Sequence, residues 1–376
     1  MAEREYVVIS GYYGFDNLGD EAILEEIIAE VSRLVPDRSK IVVLSQNPEK
    51  TQRVFRVTSV NRWKMAQLQP YFAKARLFIS GGGGLYQDSS SVKSVVYYFG
   101  LALLAKLSGA PTVIYAQGIG PLRSPVSVAL TKTAMSFAQE IAVRDSNSVD
   151  LLKSWGISRA RLTADPVWCL QPSSLPAETE AALKSVPPSS YLLGLSIRKS
   201  HHISRSTVEA MAHRLADDAP SGTVLLPLVL QRNQDAELLQ AFSTIWKSKG
   251  HSTLDLDFSK IERPSQWLSL LSELNLVVGM RFHALLMALK SGVPAVGLAY
   301  DPKVSYLMKN FEQPCLNLAK SSTDNNDAAL ADELAKLVKT EYSGVGDFQE
   351  RAARVTASQN ELACQNFDVI ARILKS

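Results

Sequence analysis

The sequence predicts an α/β protein made of two doubly wound parallel-sheet domains. Three observations predict it. Short β-rich apolar runs alternate with amphipathic helical stretches along nearly the whole chain. Several runs are apolar on both faces, as strands covered by helices on both sides must be. The alternation is interrupted by the Pro- and Ser-rich stretch "QPSSLPAETEAALKSVPPSS" at residues 171–190 and then restarts. At 376 residues the chain is also too long for one hydrophobic core.

The expected strands of the first domain, residues 1–175, are Tyr6–Ser10, Ile41–Leu44, Leu77–Ser80, Thr112–Ala116, Ile141–Val143 and Arg161–Ala164. The second domain, residues 188–340, is expected to hold Tyr191–Ile197, Thr223–Leu230, Thr253–Leu256, Leu276–Val278 and Ala295–Leu298. "SSTDNNDAALADELAKLV" reads as a polar turn and an Asp-rich helix start. Residues 341–376 carry Phe348, Val355, Leu362, Phe367, Ile370 and Leu374 at helical spacing, so terminal helices are expected, crossing back to the first domain. Both sheets should face a cleft with the carboxyl ends of their strands, where open α/β sheets bind ligands.

Composition excludes several function classes. Apolar content is 46%, charged content 20% and net charge +3, without a dense basic run, which argues against nucleic acid. The three cysteines, Cys169, Cys315 and Cys364, have no metal-ligand spacing, so neither a disulfide framework nor a metal site is expected. The first residues run straight into a strand without a signal sequence, which reads as cytoplasmic. "SVVYYFGLALLAKLSG" is shorter than the ~20 residues of a membrane span and contains Lys106, so it reads as a core helix; peripheral membrane contact stays open.

The chemistry should sit on the strand-to-helix loops. "GYYGFDNLGDEAI", residues 11–23, lies where a dinucleotide fingerprint would, but its glycine spacing is wrong and its acids would repel a pyrophosphate. Asp16, Asn17 and Asp20 suit sugar hydroxyls or a general base, or else cap the helix. Gly82 and Gly83 in "SGGGGLYQD" can bring backbone close to a ligand, with Gln87 and Asp88 at the mouth. Gln117 in "YAQGIGPL" follows the same logic. In "VRDSNS", Ser146 or Asn147 would cap a helix, and Arg144 would reach the cleft or pair with Asp145. Arg198 and Lys199 close the first strand of the second domain, while His201 and His202 read as solvated loop residues. Arg281 and His283 open a helix after a buried strand and add a guanidinium fork to the helix dipole and free N–H groups, which defines an anion pocket. Lys303 in "YDPK" stands at the next strand end.

"HALLMALKSGVPAVGL" looks like the helix, Gly-x-Pro and strand unit of GT-B glycosyltransferases. Where many of those hold the donor ribose with a glutamate, this chain has Met287, and the partner glutamate falls at Gly279. The donor therefore reads as a small, dense anion without a nucleoside.

"SGYYGFDNLGDEAIL", "FISGGGGLYQD", "YAQGIGPL", "VRDSNS", Ala164–Asp165–Pro166 and "GMRFHALLMALKSGVPAVGLAYDPKV" resemble the polysaccharide pyruvyltransferases, most closely the CsaB type, from near residue 6 to about residue 318. The resemblance implies a GT-B-like pair of Rossmann-like domains. It implies transfer of pyruvate from phosphoenolpyruvate to a sugar as a cyclic ketal, the CsaB-type sugar being an N-acetylmannosamine of a lipid-linked or polymeric cell-wall glycan that then anchors S-layer proteins. It places Arg281, His283 and Arg198 on phosphoenolpyruvate, with Phe282 and Lys303 beside them. His283 suits protonation of the enol carbon, and Asp16, Asp20 or Asp88 suits the base. Asn17, Gly82, Gly83, Gln87, Asp88, Gln117 and Arg144 are then the acceptor side. No step requires a cofactor. Two rivals stand beside this reading: a GT-B glycosyltransferase with an unusual donor, and a non-catalytic protein that binds an anionic sugar.

Overall fold

A computed structural model describes residues 4–88, 91–318, 327–343 and 347–375. The polar turn expected near residue 321 lies outside them. The chain forms two compact units: residues 1–170 with 358–376, and residues 171–357.

In the first unit the elements are β1 (Tyr6–Ser10), α1 (Leu18–Leu34), β2 (Ile41–Ser45), α2 (Pro48–Phe55), β3 (Thr58–Asn61), α3 (Met65–Ala73), β4 (Ala75–Ser80), α4 (Val92–Leu107), β5 (Thr112–Gln117), α5 (Pro125–Phe137), β6 (Glu140–Val143), α6 (Ser146–Ser154) and β7 (Arg161–Leu162). The strands form one parallel sheet in the order β3-β2-β1-β4-β5-β6-β7. Val7, Val8 and Ile9 of β1 and Leu77, Phe78 and Ile79 of β4 are buried on both faces, which is why these strands carry no polar alternation. Helix starts are set by side-chain caps: Asn17 accepts from the Gly19 N–H, Ser91 from Lys93 and Asp145 from Ser148. Asp145 thus takes the capping role expected of Ser146 or Asn147. The apolar stretch near Lys106 is α4, and no helix among the described residues is long and apolar enough to cross a membrane.

The second unit has α7 (Ala177–Lys184), β8 (Tyr191–Ser196), α8 (Arg205–Asp218), β9 (Thr223–Pro227), α9 (Arg232–Ser248), β10 (Ser252–Thr253), α10 (Pro264–Ser272), β11 (Leu276–Gly279), α11 (Phe282–Lys290), β12 (Ala295–Ala299), α12 (Pro302–Asn310), β13 (Cys315–Asn317) and α13 (Asp327–Ser343). Its parallel sheet runs β10-β9-β8-β11-β12-β13, the Rossmann order. The last helix, α14 (Phe348–Lys375), ends in the first unit: Asn366 Nδ2 donates to the Ala164 carbonyl and Asn360 Nδ2 to that of Trp168. This helix also brings Cys364 within 3.3 Å of Cys169, two thiols that sequence spacing had set apart.

One buried acid gives the first unit a pH signature. Glu30 of α1 is 2% exposed and accepts the Tyr115 hydroxyl at 2.6 Å. Burial pushes its carboxyl up to about 8, with Glu26 and Asp368 adding to the rise and the Tyr115 hydroxyl and Arg33 opposing it. The raised value favours the folded state fully below the unfolded pKa of ~4.3, and that contribution is lost as pH climbs through 8. Thermal melts of the wild type should therefore show Tm falling between pH 5 and 9, by up to about 4 kcal/mol of stability. Glu30→Gln should flatten that slope. An unchanged slope in the variant would remove Glu30 as its source.

Candidate active site

Each sheet reverses its strand order once, and the segments that carry Asp20, Gly83, Arg198 and Arg281 start at those two points. In the second unit the reversal lies between β8 and β11, where Ser196 pairs with Gly279 and the Met280 N–H donates to the Ser196 carbonyl at 2.7 Å. Arg198 and Arg281 each stand two residues beyond that pair, so the register sets them side by side at the carboxyl edge.

Arg281 is the N-cap residue of α11 and its side chain is 12% exposed. Its Nη2 meets Asp235 Oδ1 at 2.5 Å and Gln231 Oε1 at 3.2 Å. Asp235 is fully buried and also accepts the N–H groups of Leu230 at 3.1 Å and Gln231 at 2.8 Å. Burial raises the Asp235 carboxyl, and Arg281 works against the rise. Arg198 lies against the Tyr300 ring, 5.5 Å from its centroid, and donates to the Tyr300 hydroxyl at 3.4 Å. Tyr300 follows β12, two strands from β8, so the loops after β8, β11 and β12 meet here. The Nε atoms of both arginines and Ser196 Oγ are buried with no hydrogen-bond partner among the described residues. Arg281 thus brings a guanidinium with an unpartnered N–H to the N-terminus of α11, and Arg198 brings another to the end of the neighbouring strand.

Phe282 and His283 open α11, with rings 5.1 Å apart and nearly perpendicular, and both are half-buried. Lys303 lies in the first turn of α12, half-exposed, 3.4 Å from Asp301. Met287 is fully buried in the core face of α11, so the position of the glycosyltransferase ribose glutamate is packed here. Sequence reasoning missed Asp235, Gln231 and Tyr300. An acid in the first turn of a helix reads as ordinary dipole complementation, and only the sheet order turns it toward Arg281.

In the first unit the reversal lies between β1 and β4, where Ser10 pairs with Ser80. The loops read as "GYYGFDN" and "GGGGLYQD" start there. The glycines divide by role. A side chain at Gly81 would collide with the Tyr13 hydroxyl at 2.2 Å, and one at Gly82 with Ile23 at 2.9 Å, so packing explains both. Gly83 has φ +100°, and a Cβ there would stand 3.0 Å from Asp20 Oδ1. Gln117 is fully buried, and its Oε1 accepts the Leu85 N–H at 3.2 Å, bracing the glycine loop. Gln87 folds back over Gly84. Asp20, Gly83 and Gln117 are thereby gathered at one edge.

Several candidates are engaged elsewhere. Arg144, expected on the acceptor side or paired with Asp145, instead forms a 2.5 Å ion pair with buried Asp165 and packs on Gly118. Asp88 accepts the N–H groups of Arg123 and Ser124 at 2.8–3.0 Å, which lower its pKa and fit it poorly for a base. Asp16 is exposed, with positive φ, and pairs with Lys50 at 2.5 Å. Asn17 caps α1. Lys199 pairs with Glu237 on the surface. Glu21 was read only as part of the acidic loop. It is pushed up to about 7, burial leading and the Gly14 N–H, 2.7 Å from Oε1, opposing.

Two Rossmann-like units with flanking helices define a GT-B-like fold. UDP-GlcNAc 2-epimerase from Neisseria meningitidis, bound to UDP-GlcNAc, superposes with TM-score 0.64 at 12% identity over 98% of this chain and 99% of that one. HepE from Anabaena, in complex with UDP and glucose, superposes with TM-score 0.61 at 14% identity over 99% and 100%. A glycosyltransferase from Rickettsia africae gives TM-score 0.60 at 12% identity over 99% of each chain. At these identities the likeness is one of fold. No curated protein matches the sequence. The polysaccharide pyruvyl transferase family model matches residues 17–302, and the chain belongs to that family. It is an enzyme that transfers pyruvate to polysaccharide.

Proposed function

We propose that the donor is phosphoenolpyruvate and that the product is a cyclic pyruvate ketal on a sugar of a cell-wall glycan, N-acetylmannosamine in a lipid-linked polymer being the best candidate, as in the CsaB type that serves S-layer anchoring. The observation that carries the reading is the paired Arg198 and Arg281 at the sheet reversal, each with a buried, unpartnered Nε. A carboxylate and a phosphate on one small molecule match two guanidinium forks and a helix N-terminus.

In the proposed reaction His283 gives a proton to the enol carbon C3, which becomes the methyl group. C2 then takes the first sugar hydroxyl, whose proton passes to a carboxylate, for which Asp20 is the candidate because its carboxylate lies beside Gly83 at the sheet reversal. The C2–O bond to phosphate breaks with its electrons on phosphate, which leaves as hydrogen phosphate carrying the proton that the carboxylate had taken up, so the carboxylate is restored. The second hydroxyl closes the ketal and its proton restores His283. Atoms and charge balance without a redox or metal cofactor.

The test is phosphate release from phosphoenolpyruvate with and without a synthetic N-acetylmannosaminyl glycan, with the product examined for the ketal by NMR. Acceptor-dependent release with ketal formation is expected. Turnover of a nucleotide sugar with none of phosphoenolpyruvate would replace the reading with a glycosyltransferase.

A further inference from the structure

The first unit carries a group of aromatic side chains that the donor chemistry does not use. Arg62, after β3, is 3% exposed. No carboxylate pairs with it among the described residues. Its guanidinium lies 4.4 Å from the Tyr97 ring centroid, 5.2 Å from those of Phe15 and Trp63, and 5.6 Å from that of Tyr98. Nη1 donates to the Gly11 carbonyl at 2.9 Å and Nη2 to the Tyr98 hydroxyl at 3.2 Å. A buried cation without a counter-charge is costly, and here aromatic faces and carbonyl oxygen compensate it. In return it ties the loop after β3 to the loop after β1.

The outer layer of this group is open. Phe15 stacks on Tyr12 at 4.0 Å with planes 3° apart, and Tyr12 is 38% exposed. Trp63 is 58% exposed, yet its indole is fixed: Nε1 donates to Gln46 Oε1 at 2.8 Å and the ring packs 4.8 Å from Tyr97. Large rings held rigid and exposed are more than core packing requires. They stand on the same carboxyl edge as Asp20: the Gln46 N–H donates to the Tyr13 carbonyl at 2.9 Å and the Arg62 N–H to the Ser45 carbonyl at 3.0 Å. The charges of Asp20 and Arg62 both act on the Tyr12 and Tyr98 hydroxyls.

We propose that Tyr12 and Trp63, backed by Phe15 and Arg62, form a pyranose-binding platform for the acceptor glycan. This deepens the proposed function and rests on it. The apolar C–H face of a sugar ring matches an aromatic face, and its hydroxyl edge matches Asp20 and the polar groups of the same loops. Arg62 is a positioning residue that holds the two loops in one arrangement.

Two readouts test it on the whole protein. The first is tryptophan emission during titration with a panel of soluble pyranosyl oligosaccharides, N-acetylmannosamine- and galactose-terminated members included, without phosphoenolpyruvate. A saturating change in the wild type that is lost in Trp63→Phe supports the platform. No change with any member, or the same change in both proteins, overturns it. The second is phosphate release. Trp63→Ala and Tyr12→Ala should each raise the acceptor KM by about tenfold or more and leave the phosphoenolpyruvate KM within about twofold, with Trp63→Phe and Tyr12→Phe recovering most of the loss. Transfer with an unchanged acceptor KM overturns the platform and leaves the pyruvyl-transfer reading standing. Glycan-dependent emission from Trp63 without release from phosphoenolpyruvate does the reverse.

Discussion

Arg281→Ala is expected to remove donor binding and to destabilise the second unit in the same step. The reason is Asp235. That carboxylate is fully buried, and Arg281 is the cation paired with it at 2.5 Å. Truncating one partner of a buried pair strands the other charge, which costs about 3–5 kcal/mol. In a domain of this size that is a fall in Tm of roughly 10 °C. Loss of the guanidinium should also lower kcat/KM for phosphoenolpyruvate by about 10²–10³-fold. The two effects separate in a double variant. Arg281→Met with Asp235→Asn removes both charges and keeps an amide oxygen for the Leu230 and Gln231 N–H groups, so most of the lost stability should return while phosphoenolpyruvate binding by calorimetry does not. Arg281→Lys keeps a charge for Asp235 but loses the fork, and should fold normally with weak donor binding. If Arg281→Ala melts with the wild type, the pair contributes nothing to stability. If the double variant still binds phosphoenolpyruvate, the anion site lies elsewhere.

The fold was legible because its central strands are buried on both faces and so read as continuous apolar runs. β3 and β13 escaped for the opposite reason: Thr58–Asn61 is half-buried and mostly polar, and Cys315–Asn317 is three residues long. Both are edge strands, where burial leaves the weakest pattern. At the candidate site, residues that follow a strand directly, Arg198 and Arg281 among them, could be placed from local sequence. Their partners could not. Asp235, Tyr300 and Asp165 lie 46, 102 and 21 residues from the arginines they meet, and only the strand order brings them there. The glycine run shows a different limit. Sequence reads four glycines as one ligand wall, whereas Gly81 and Gly82 answer to the Tyr13 and Ile23 side chains beneath them. The aromatic group at Arg62 has no local signature, since Tyr12 and Phe15, Trp63, and Tyr97 stand on three separate segments.

His283 should separate from Arg281 in kind as well as degree. It sits in the first turn of α11, two residues after Arg281, and is half-buried against the Phe282 ring. If its part is to protonate C3, His283→Gln keeps the helix and most of the anion site but supplies no acid. kcat should then fall by about 10²–10⁴-fold, while the dissociation constant for phosphoenolpyruvate stays within a few-fold of the wild type. Added imidazole should restore part of the rate to a smaller variant, His283→Gly, and none to Arg281→Ala. Asp20→Asn should give the complementary result, a lower kcat with unaltered phosphoenolpyruvate binding and no rescue by imidazole, if the lost group acts on the sugar hydroxyl as proposed. A His283→Gln enzyme whose donor affinity falls in parallel with kcat would make the histidine an anchor of the anion. The proton for C3 would then have to come from another group, and Lys303, half-exposed in the first turn of α12, would be the next to test by the same pair of measurements.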